Sequence, residues 1–257
     1  MNPREIRLIP IPFPGEILPG DDLIEKLRAA LRHQKTLLRT GDILVVKHKI
    51  VSKAEGQVVT LSNVRPSRSA SLWADECGTD ARLAELALRE ARRIVRKKML
   101  RKNNGVLITE THHGFVCANS GVDASNVDGG NSAVLLPEDP DRSAARLRLQ
   151  IKNLLGVSVA VIISDSFGRP WREGLTEVAI GLSGMKPLLD YRGKRDPHGY
   201  RLRASFEAVA DELACAAGLV CGKLNRTPVC IVRGFKYQRG AASARDLVRT
   251  KENDLFR

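Results

Sequence analysis

Aromatic residues are scarce in this chain of 257 residues, which has six Phe, three Tyr and two Trp. Proteins that bind single-stranded nucleic acid stack bases on aromatic side chains, so the composition argues against that class. The formal net charge of +13 still suits polyanionic partners, and a basic nucleotide- or RNA-binding module remains an alternative. With 43% hydrophobic and 28% charged residues, the composition is that of an ordinary globular protein of one large or two modest domains.

The chain also lacks paired cysteines and long apolar runs. Its five cysteines include no C-x-x-C pair, which argues against zinc and thioredoxin-like sites. Cys117 and Cys230 lie in apolar stretches and are expected to be small buried thiols. The first residues show no signal-peptide pattern, and no apolar stretch approaches the ~18 residues of a membrane span. We therefore expect a soluble protein of the reducing cytoplasm, with no membrane partner.

Neither standard glycine motif for phosphate binding is present. There is no G-x-G-x-x-G, and the segment GLVCGKL (218–224) is one residue short of a P-loop. In addition, Leu224 stands where a P-loop has the Ser or Thr that holds magnesium. The predicted helices and strands alternate irregularly, which favours an α+β (mixed α/β) fold over a Rossmann or P-loop fold.

Hydrophobic periodicity predicts four helices and five strands. One helix begins at Asp21-Asp22, and the other three run over 79–104, 141–155 and 204–220. The strands cover 43–46, 106–109, 114–118, 157–163 and 228–233. In the helix over 79–104, Thr79 is the predicted N-cap and Gly105 the stop, and the basic last turns are interpreted as a solvated face. The proline-rich segment 9–15 is expected to be extended.

The strand predicted over 157–163 is followed by the segment SDSFGRPWR (164–172). A continuous apolar run is typical of a buried strand, and such strands deliver their last side chains into a crevice. Asp165 and Ser166 can ligate a hard cation through oxygen, while Arg169 and Arg172 can hold phosphate or carboxylate. The alternative is a capped turn with solvated arginines.

A second polar stretch, CANSGVDASN (117–126), also follows a predicted strand. Asp123 and Asn126 supply a carboxylate and an amide among small residues, although an Asx turn explains the pattern as well. The adjacent His112 and His113 are interpreted as scaffold or substrate contacts and not as metal ligands. Two acids at strand ends, with Lys53 and the two arginines, predict a metal held against phosphates.

Several segments, in this order, resemble the CofE-type family of coenzyme F420-0:L-glutamate ligases. They are GDDL (20–23), VSKAEG (51–56), GFVCAN (114–119), GVDASN (121–126), LPEDPD (136–141), SDSFGR (164–169) and ADELA (210–214). The resemblance implies that GTP, with Mg²⁺ or Mn²⁺ and a monovalent cation, supports the joining of L-glutamate to the carboxylate of F420-0. It also implies one ligase unit over 1–257, with two structural subdomains of undefined boundaries, no fused reductase domain and an intertwined homodimer.

The same resemblance assigns residues. Asp123 and Asp165 would hold one metal, and Ser166, where the family usually has Thr, would contribute to a second. The nucleotide would contact Pro14, Gly15, Glu16, Ile17, His48, Lys53, Asn126, Cys221, Gly222, Lys223, Leu224, Asn225, Arg226 and Thr227. Lys223 departs from the family, because some members have a metal-binding glutamate there.

The mechanism expected from these assignments is phosphoryl transfer from GTP to the precursor carboxylate, followed by amide formation with release of GDP and phosphate. Arg169 and Arg172, with Lys53, are predicted to stabilise the transferring group, and no protein nucleophile is needed. A related nucleotide-dependent carboxylate–amine ligase acting on another phosphorylated acid is the enzymatic alternative.

Overall fold

Strands and helices are interspersed along the chain, in a computed structural model that describes residues 5–101, 104–125 and 127–255. The strands are β1 (Arg7–Ile11), β2 (Ile43–Lys47), β3 (Val58–Thr60), β4 (Ala91–Arg101), β5 (Asn104–Thr111), β6 (Val116–Ala118), β7 (Ser132–Val134), β8 (Ala160–Arg169), β9 (Arg172–Ser183), β10 (Leu189–Asp190), β11 (Phe206–Glu207) and β12 (Val229–Arg233). The α-helices are α1 (Leu23–His33), α2 (His48–Ala54), α3 (Arg68–Cys77), α4 (Ala81–Glu90), α5 (Pro140–Leu155) and α6 (Val209–Cys221). The predicted mixed α/β class is confirmed.

The main sheet has five strands in the order β1-β12-β2-β8-β9. Only β2 and β8 are parallel neighbours within it, and the other pairs are antiparallel. Residues 160–163 of β8 are fully buried, as are Ile43 and Ile231 on the neighbouring strands. Helices α5 and α6 both pack on β8 and β9, so apolar side chains of sheet and helices form the largest core.

Local signals in the sequence place several helix ends correctly. Asp22 caps α1, since its carboxylate accepts hydrogen bonds from the backbone N–H groups of Ile24 (2.8 Å) and Glu25 (3.2 Å). Gly156 ends α5 in the left-handed conformation, with a φ of 70°. The segment over 204–208 is not helical, because Phe206–Glu207 pairs with Leu189–Asp190, and α6 begins only at Val209.

The prediction of one long helix over 79–104 is wrong. The helix is capped by Asp80 and ends at Glu90, and β4 continues from there and pairs antiparallel with β5. Arg93 of β4 donates a hydrogen bond of 2.7 Å to Glu110 of β5. The helical stripe of apolar residues continues past Glu90, but pairing with a second strand determines the structure, and a periodicity pattern contains no information about such a partner.

Smaller cores lie outside the main one. Strands β4, β5 and β6 form a separate sheet, and Trp73, Cys77 and Leu107 belong to a cluster beside it. A third cluster contains Leu61, Leu86 and Ala133. These cores are consistent with the predicted subdomains, whose existence and boundaries stay a prediction. In the described part of the chain, no helix has the length and hydrophobicity that a membrane crossing requires.

The cysteines behave as the sequence predicts. Cys117 and Cys230 are 6% and 0% exposed, and all five cysteines are free thiols. Burial raises the pKa of Cys117 to about 12, so this thiol is protonated at neutral pH.

Glu85 offers a pH test of the α3–α4 region. It is buried, and its carboxylate accepts hydrogen bonds from the Ser67 backbone (2.9 Å) and from Arg89 (2.8 Å). The hydrogen bonds from Ser67, followed by the one from Arg89, hold the pKa of Glu85 below its ordinary value of 4.5. The unfolded chain therefore binds this proton first, and the stabilisation is lost as the pH falls below about 4.5.

We expect Glu85→Gln to flatten the pH dependence of the free energy of unfolding below this pH. The measurement is urea denaturation at pH 7, 5, 4 and 3.5 for the wild type and the variant. Glu138→Gln, at an exposed position, is the control and should keep the wild-type slope. Parallel curves for the wild type and Glu85→Gln would contradict the assignment.

Candidate active site

A cleft of about 800 Å³ opens at the carboxyl ends of the parallel neighbours β2 and β8. This is the edge of an α/β sheet at which ligands usually bind, and the volume suits a nucleotide-sized ligand. Its described lining residues come from the N-terminal segment around Glu16, the start of α2, the loop that begins at Asp123, the strands β8 and β9, and the segment around Lys223.

The strand β8 does not end where the apolar run ends. It continues to Arg169 in a hairpin with β9, whereas β2 ends at Lys47, which is in register with Ser164. From Asp165 onward β8 therefore has β9 as its neighbour but no longer β2. The prediction that β8 stops at Ile163 is wrong, and the crevice exists because the neighbouring strand turns into α2.

Asp165 is held by the first residue of α2. The Nε2 atom of His48 lies 3.2 Å from the Asp165 carboxylate, which also accepts a 2.7 Å hydrogen bond from the Ser166 backbone N–H. His48 is itself buried, and its Nδ1 atom lies 3.4 Å from the Ser52 hydroxyl. Burial raises the pKa of Asp165, but His48 and the backbone hydrogen bond outweigh it, so the pKa lies below the ordinary value and the acid is ionised.

Asp123 reaches the same cleft from a different part of the chain. Its backbone bridges to Val134, and its carboxylate accepts hydrogen bonds from Lys49 Nζ (2.7 Å) and the Ser125 backbone (2.6 Å). The second contact is an Asx turn, so this alternative from the sequence is also correct. Both carboxylates line the cleft, and the negative charge of Asp123 raises the pKa of Asp165.

The donor chemistry around these two acids fits a hard divalent cation. Among the described residues no group of three or more His, Cys, Asp and Glu side chains could hold a metal by itself. Magnesium is usually bound by one or two carboxylates together with phosphate and water oxygens, so two aspartates in an open cleft suffice. The remaining ligands would have to come from a bound phosphate compound and from water.

Glu177 is a buried acid that the sequence reasoning missed. It lies on β9, and it accepts hydrogen bonds from the hydroxyls of Ser164 (2.9 Å) and Ser166 (2.6 Å). Lys47 Nζ lies 2.5 Å from the same carboxylate. Burial raises the pKa of Glu177, but Lys47 and the two hydroxyls outweigh this and keep it below the ordinary value.

The two charged clusters lie on opposite faces of β8. Ser164 and Ser166 are two residues apart and therefore share one face with Glu177, whereas Asp165 points to the other face. Lys223 joins the Glu177 cluster, because its Nζ atom donates a 3.0 Å hydrogen bond to the Ser166 hydroxyl. The cleft thus has one carboxylate pair and one serine–lysine–glutamate network.

Charged side chains also cross the mouth of the cleft. Glu16, in the N-terminal segment, accepts a hydrogen bond from Lys53 (3.3 Å) and lies 3.7 Å from Arg226. Glu16 and Arg226 are largely exposed, so the pair between them is weak and a ligand can replace it.

Most of the site residues predicted from the sequence meet at this cleft. Those that line it are Asp123, Asp165, Ser166, Gly15, Glu16, Ile17, His48, Lys53, Gly222, Lys223, Leu224, Arg226 and Thr227. Pro14, Asn225 and the buried Cys221 are adjacent in the chain but are not among the lining residues. Asn126 lies outside the described residues.

Arg169 and Arg172 are not brought to the cleft within one chain. They pair with each other across the tip of the β8–β9 hairpin, and Arg169 donates to the Glu173 carbonyl oxygen (3.1 Å). Neither is among the described residues that line the cleft. Their catalytic role stays a prediction, and this geometry gives it no support within a single chain.

The sequence contained a signal for some of the missed residues. Lys47 directly follows the apolar run 43–46, at the same kind of strand end as Asp165. Glu177 precedes the apolar stretch 178–180, and this pattern is typical of a buried strand that contains one acid.

Comparison with known proteins identifies the family. The family model described as F420-0:Gamma-glutamyl ligase matches residues 13–234. The chain belongs to this family. The match spans all the described residues that line the cleft, from Phe13 to Pro228.

Three similar proteins carry the name Coenzyme F420:L-glutamate ligase. The protein of Methanopyrus kandleri is 43% identical over 257 residues, which cover 98% of each chain. That of Methanothermobacter thermautotrophicus is 42% identical over 93% of each chain. The Methanocaldococcus jannaschii protein is 44% identical over 86% of each. The likeness to these ligases therefore extends over nearly the whole chain.

Proposed function

We propose that this protein is a coenzyme F420-0:L-glutamate ligase, which joins the amine of L-glutamate to the carboxylate of F420-0. The proposal is supported by family membership and by relatives of that name aligned over almost the full length. The structural observation that carries it is the meeting of Asp123 and Asp165 in a nucleotide-sized cleft surrounded by lysines. That arrangement suits phosphoryl transfer, which turns a carboxylate into an acylating group.

The proposed reaction uses GTP in two steps. A carboxylate oxygen of F420-0 forms a bond to the γ-phosphorus while the bond to GDP breaks, which leaves an acyl phosphate. The amine of glutamate then attacks the acyl carbon, the bond to phosphate breaks, and the nitrogen loses a proton. Each step moves negative charge onto phosphate oxygens, so the main task of the protein is to position cationic groups around them.

The cationic side chains of the cleft have separate roles in this proposal. Lys53 and Arg226, now paired with Glu16, are proposed to contact the triphosphate when it enters. Lys49 and His48 hold the carboxylates of Asp123 and Asp165 in position. The segment 222–227 and residues 14–17 are proposed to contact the rest of the nucleotide.

Asp123 and Asp165 would hold one divalent cation, Mg²⁺ or Mn²⁺. When bound, such an ion neutralises phosphate oxygens and orients the triphosphate. We assign no residue to a monovalent cation. On the other face of β8, Ser166 and Glu177 already bind the ammonium groups of Lys223 and Lys47. We therefore propose that the ammonium group of Lys223 supplies the positive charge that a second metal ion would otherwise supply.

This assignment predicts the number of metal ions bound. With a non-hydrolysable GTP analogue, the wild type should bind one Mn²⁺ per chain in a calorimetric titration. Lys223→Glu should bind two, because it removes the ammonium group and adds a carboxylate beside Ser166. Lys223→Met, which removes the charge without adding an oxygen, is the control and should bind one. Two ions in the wild type would refute the role of Lys223.

A product assay tests the proposed function itself. The purified protein is incubated with F420-0, L-glutamate, GTP and MnCl₂, and the products are identified by mass spectrometry. We expect a product heavier than F420-0 by glutamate minus water, together with equimolar GDP and phosphate. Glutamine in place of glutamate and omission of GTP are the controls. GTP-independent product, or no product with a folded protein, would refute the proposal.

We further propose that the ligase is a homodimer of two-subdomain chains in which the β8–β9 hairpin contacts the second copy. Trp171 and Leu175 of this hairpin are 83% and 60% exposed, so the hairpin presents two large apolar side chains that a second copy would cover. In such a dimer Arg169 and Arg172 would have a cleft of the partner within reach. Light scattering of the wild type and Trp171→Ser tests this, and a monomeric wild type would refute it.

A further inference from the structure

A second cavity of about 750 Å³ shares no lining residue with the cleft. It lies at the end of β9, between the first turns of α5 and the segment 239–245. Ser183, at the cavity, pairs with Val161 at the beginning of β8, whereas Glu177 in the cleft pairs with Ser166 near its end. Six residues of extended chain, about 20 Å, separate Ser183 from Glu177.

Four arginines line this cavity: Arg142, Arg148, Arg239 and Arg245. Only two acids, Asp139 and Asp141, lie among them, so the lining is positively charged. Within the described part of the chain, the hydrogen bonds and ion pairs include none made by the four guanidinium groups. Elsewhere in the described structure acids do pair with arginines, as Asp42 does with Arg233 and Asp190 with Arg192.

The cavity is a built feature and not a gap between loops. Asp141 holds its two sides together, because its carboxylate accepts hydrogen bonds from the backbone of Leu182 (2.8 Å), the Ser243 hydroxyl (2.5 Å) and the backbone of Ala244 (3.1 Å). Asp139 is occupied as the N-cap of α5, accepting from the Arg142 backbone (3.0 Å). Each of the two carboxylates therefore has a hydrogen-bond partner other than these arginines' guanidinium groups, and the guanidinium groups are left for a ligand.

Gly184 leaves room for one of the arginines. It has a φ of 88°, and a Cβ atom there would lie 2.6 Å from Nε of Arg148. The absence of a side chain thus lets Arg148 lie directly over the backbone beside the cavity. The N-terminal end of α5 adds a partial positive charge on the same side.

We propose that this cavity is a second binding site, distinct from the ligase cleft, for a small ligand that carries two or more linked phosphate groups. Guanidinium groups bind phosphate oxygens in pairs, and four of them around one cavity match a chain of phosphates better than a single anion. The volume is in the range of sites that hold small molecules. Occupation would join the segment 239–245 to α5 through the ligand.

Inorganic tripolyphosphate in metal-free buffer is the probe. We expect it to slow amide hydrogen exchange in peptides that cover residues 239–245 and the first turn of α5, irrespective of any binding in the cleft. Arg148→Glu with Arg239→Glu should abolish this protection and weaken calorimetric binding at the site by about tenfold or more, while glutamate ligation is unchanged. Arg68→Glu with Arg203→Glu, an equal change of net charge elsewhere, should keep both.

Three results would overturn the proposal. The first is protection lost equally in the control pair, which would mean attraction to bulk charge. The second is protection by citrate but not by tripolyphosphate, which would exclude phosphate as the ligand. The third is the absence of protection in the wild type. This result includes the case in which the arginines face a second copy of the chain. Light scattering would then show that Arg148→Glu with Arg239→Glu separates a dimer and that the control pair does not.

Discussion

Asp165→Asn is expected to lower the rate of GDP release, measured with F420-0 and glutamate present, by about 10²-fold or more. The amide keeps the shape of the carboxylate but removes the charge that His48 contacts at 3.2 Å and that the cation requires. Binding of Mn²⁺ with a GTP analogue should weaken in parallel, which separates a metal-holding role from a purely structural one.

Asp211→Asn is the matched control for this result. Asp211 is also a partly buried acid, and its carboxylate accepts a 2.8 Å hydrogen bond from the Ala179 backbone, which an amide oxygen can accept as well. It does not line the cleft. This variant should retain activity and Mn²⁺ affinity. Near-normal turnover of a folded Asp165→Asn protein would remove Asp165 from the mechanism.

Glu177→Ala is expected to reduce the free energy of unfolding by about 2–3 kcal/mol. The change leaves Lys47 without its buried counter-ion and two serine hydroxyls without their acceptor. The value is below that of a fully buried ion pair because the Lys47 side chain is 21% exposed and water can reach it. Equilibrium denaturation in urea measures the difference.

Two further variants show what causes the loss of unfolding free energy in Glu177→Ala. Glu177→Gln keeps an acceptor for the serines while removing the charge, so its loss should be smaller than that of Glu177→Ala. Glu173→Ala, at an exposed position of the same strand, should leave stability unchanged within about 0.5 kcal/mol. If Glu177→Ala were as stable as Glu173→Ala, the network around Ser164 and Ser166 would contribute nothing to folding.

Local information in the sequence was sufficient for much of the fold. The apolar runs of β2, β8 and β12 identify buried strands, and Asp22 and Gly156 mark helix ends by their own hydrogen-bonding and backbone preferences. The strand β4 was missed because its sequence is compatible with a helix and only its pairing with β5 makes it extended. Sequence periodicity cannot reveal a partner strand.

The candidate site divides in the same way. Asp123 and Asp165 could be proposed from the sequence because each follows or extends a recognisable strand. The apolar stretch after Glu177 indicates a buried acid, but its role could not be proposed, because that role depends on the register that places Glu177 opposite Ser166. The arginines at 169 and 172 were included for their proximity in sequence to Asp165, but a hairpin carries them away from it. Closeness along an extended strand is a poor guide to closeness in space.

The junction between β2 and α2 places two consecutive residues on different sides of β8. Lys47 contacts Glu177, and His48 contacts Asp165. A single peptide unit therefore connects both charged clusters mechanically, so any displacement of α2 is transmitted to the two together. Redesign of the enzyme for another acceptor acid should for this reason leave that junction untouched. It should change the loops at the mouth of the cleft, where a longer or shorter segment does not displace the two charged clusters.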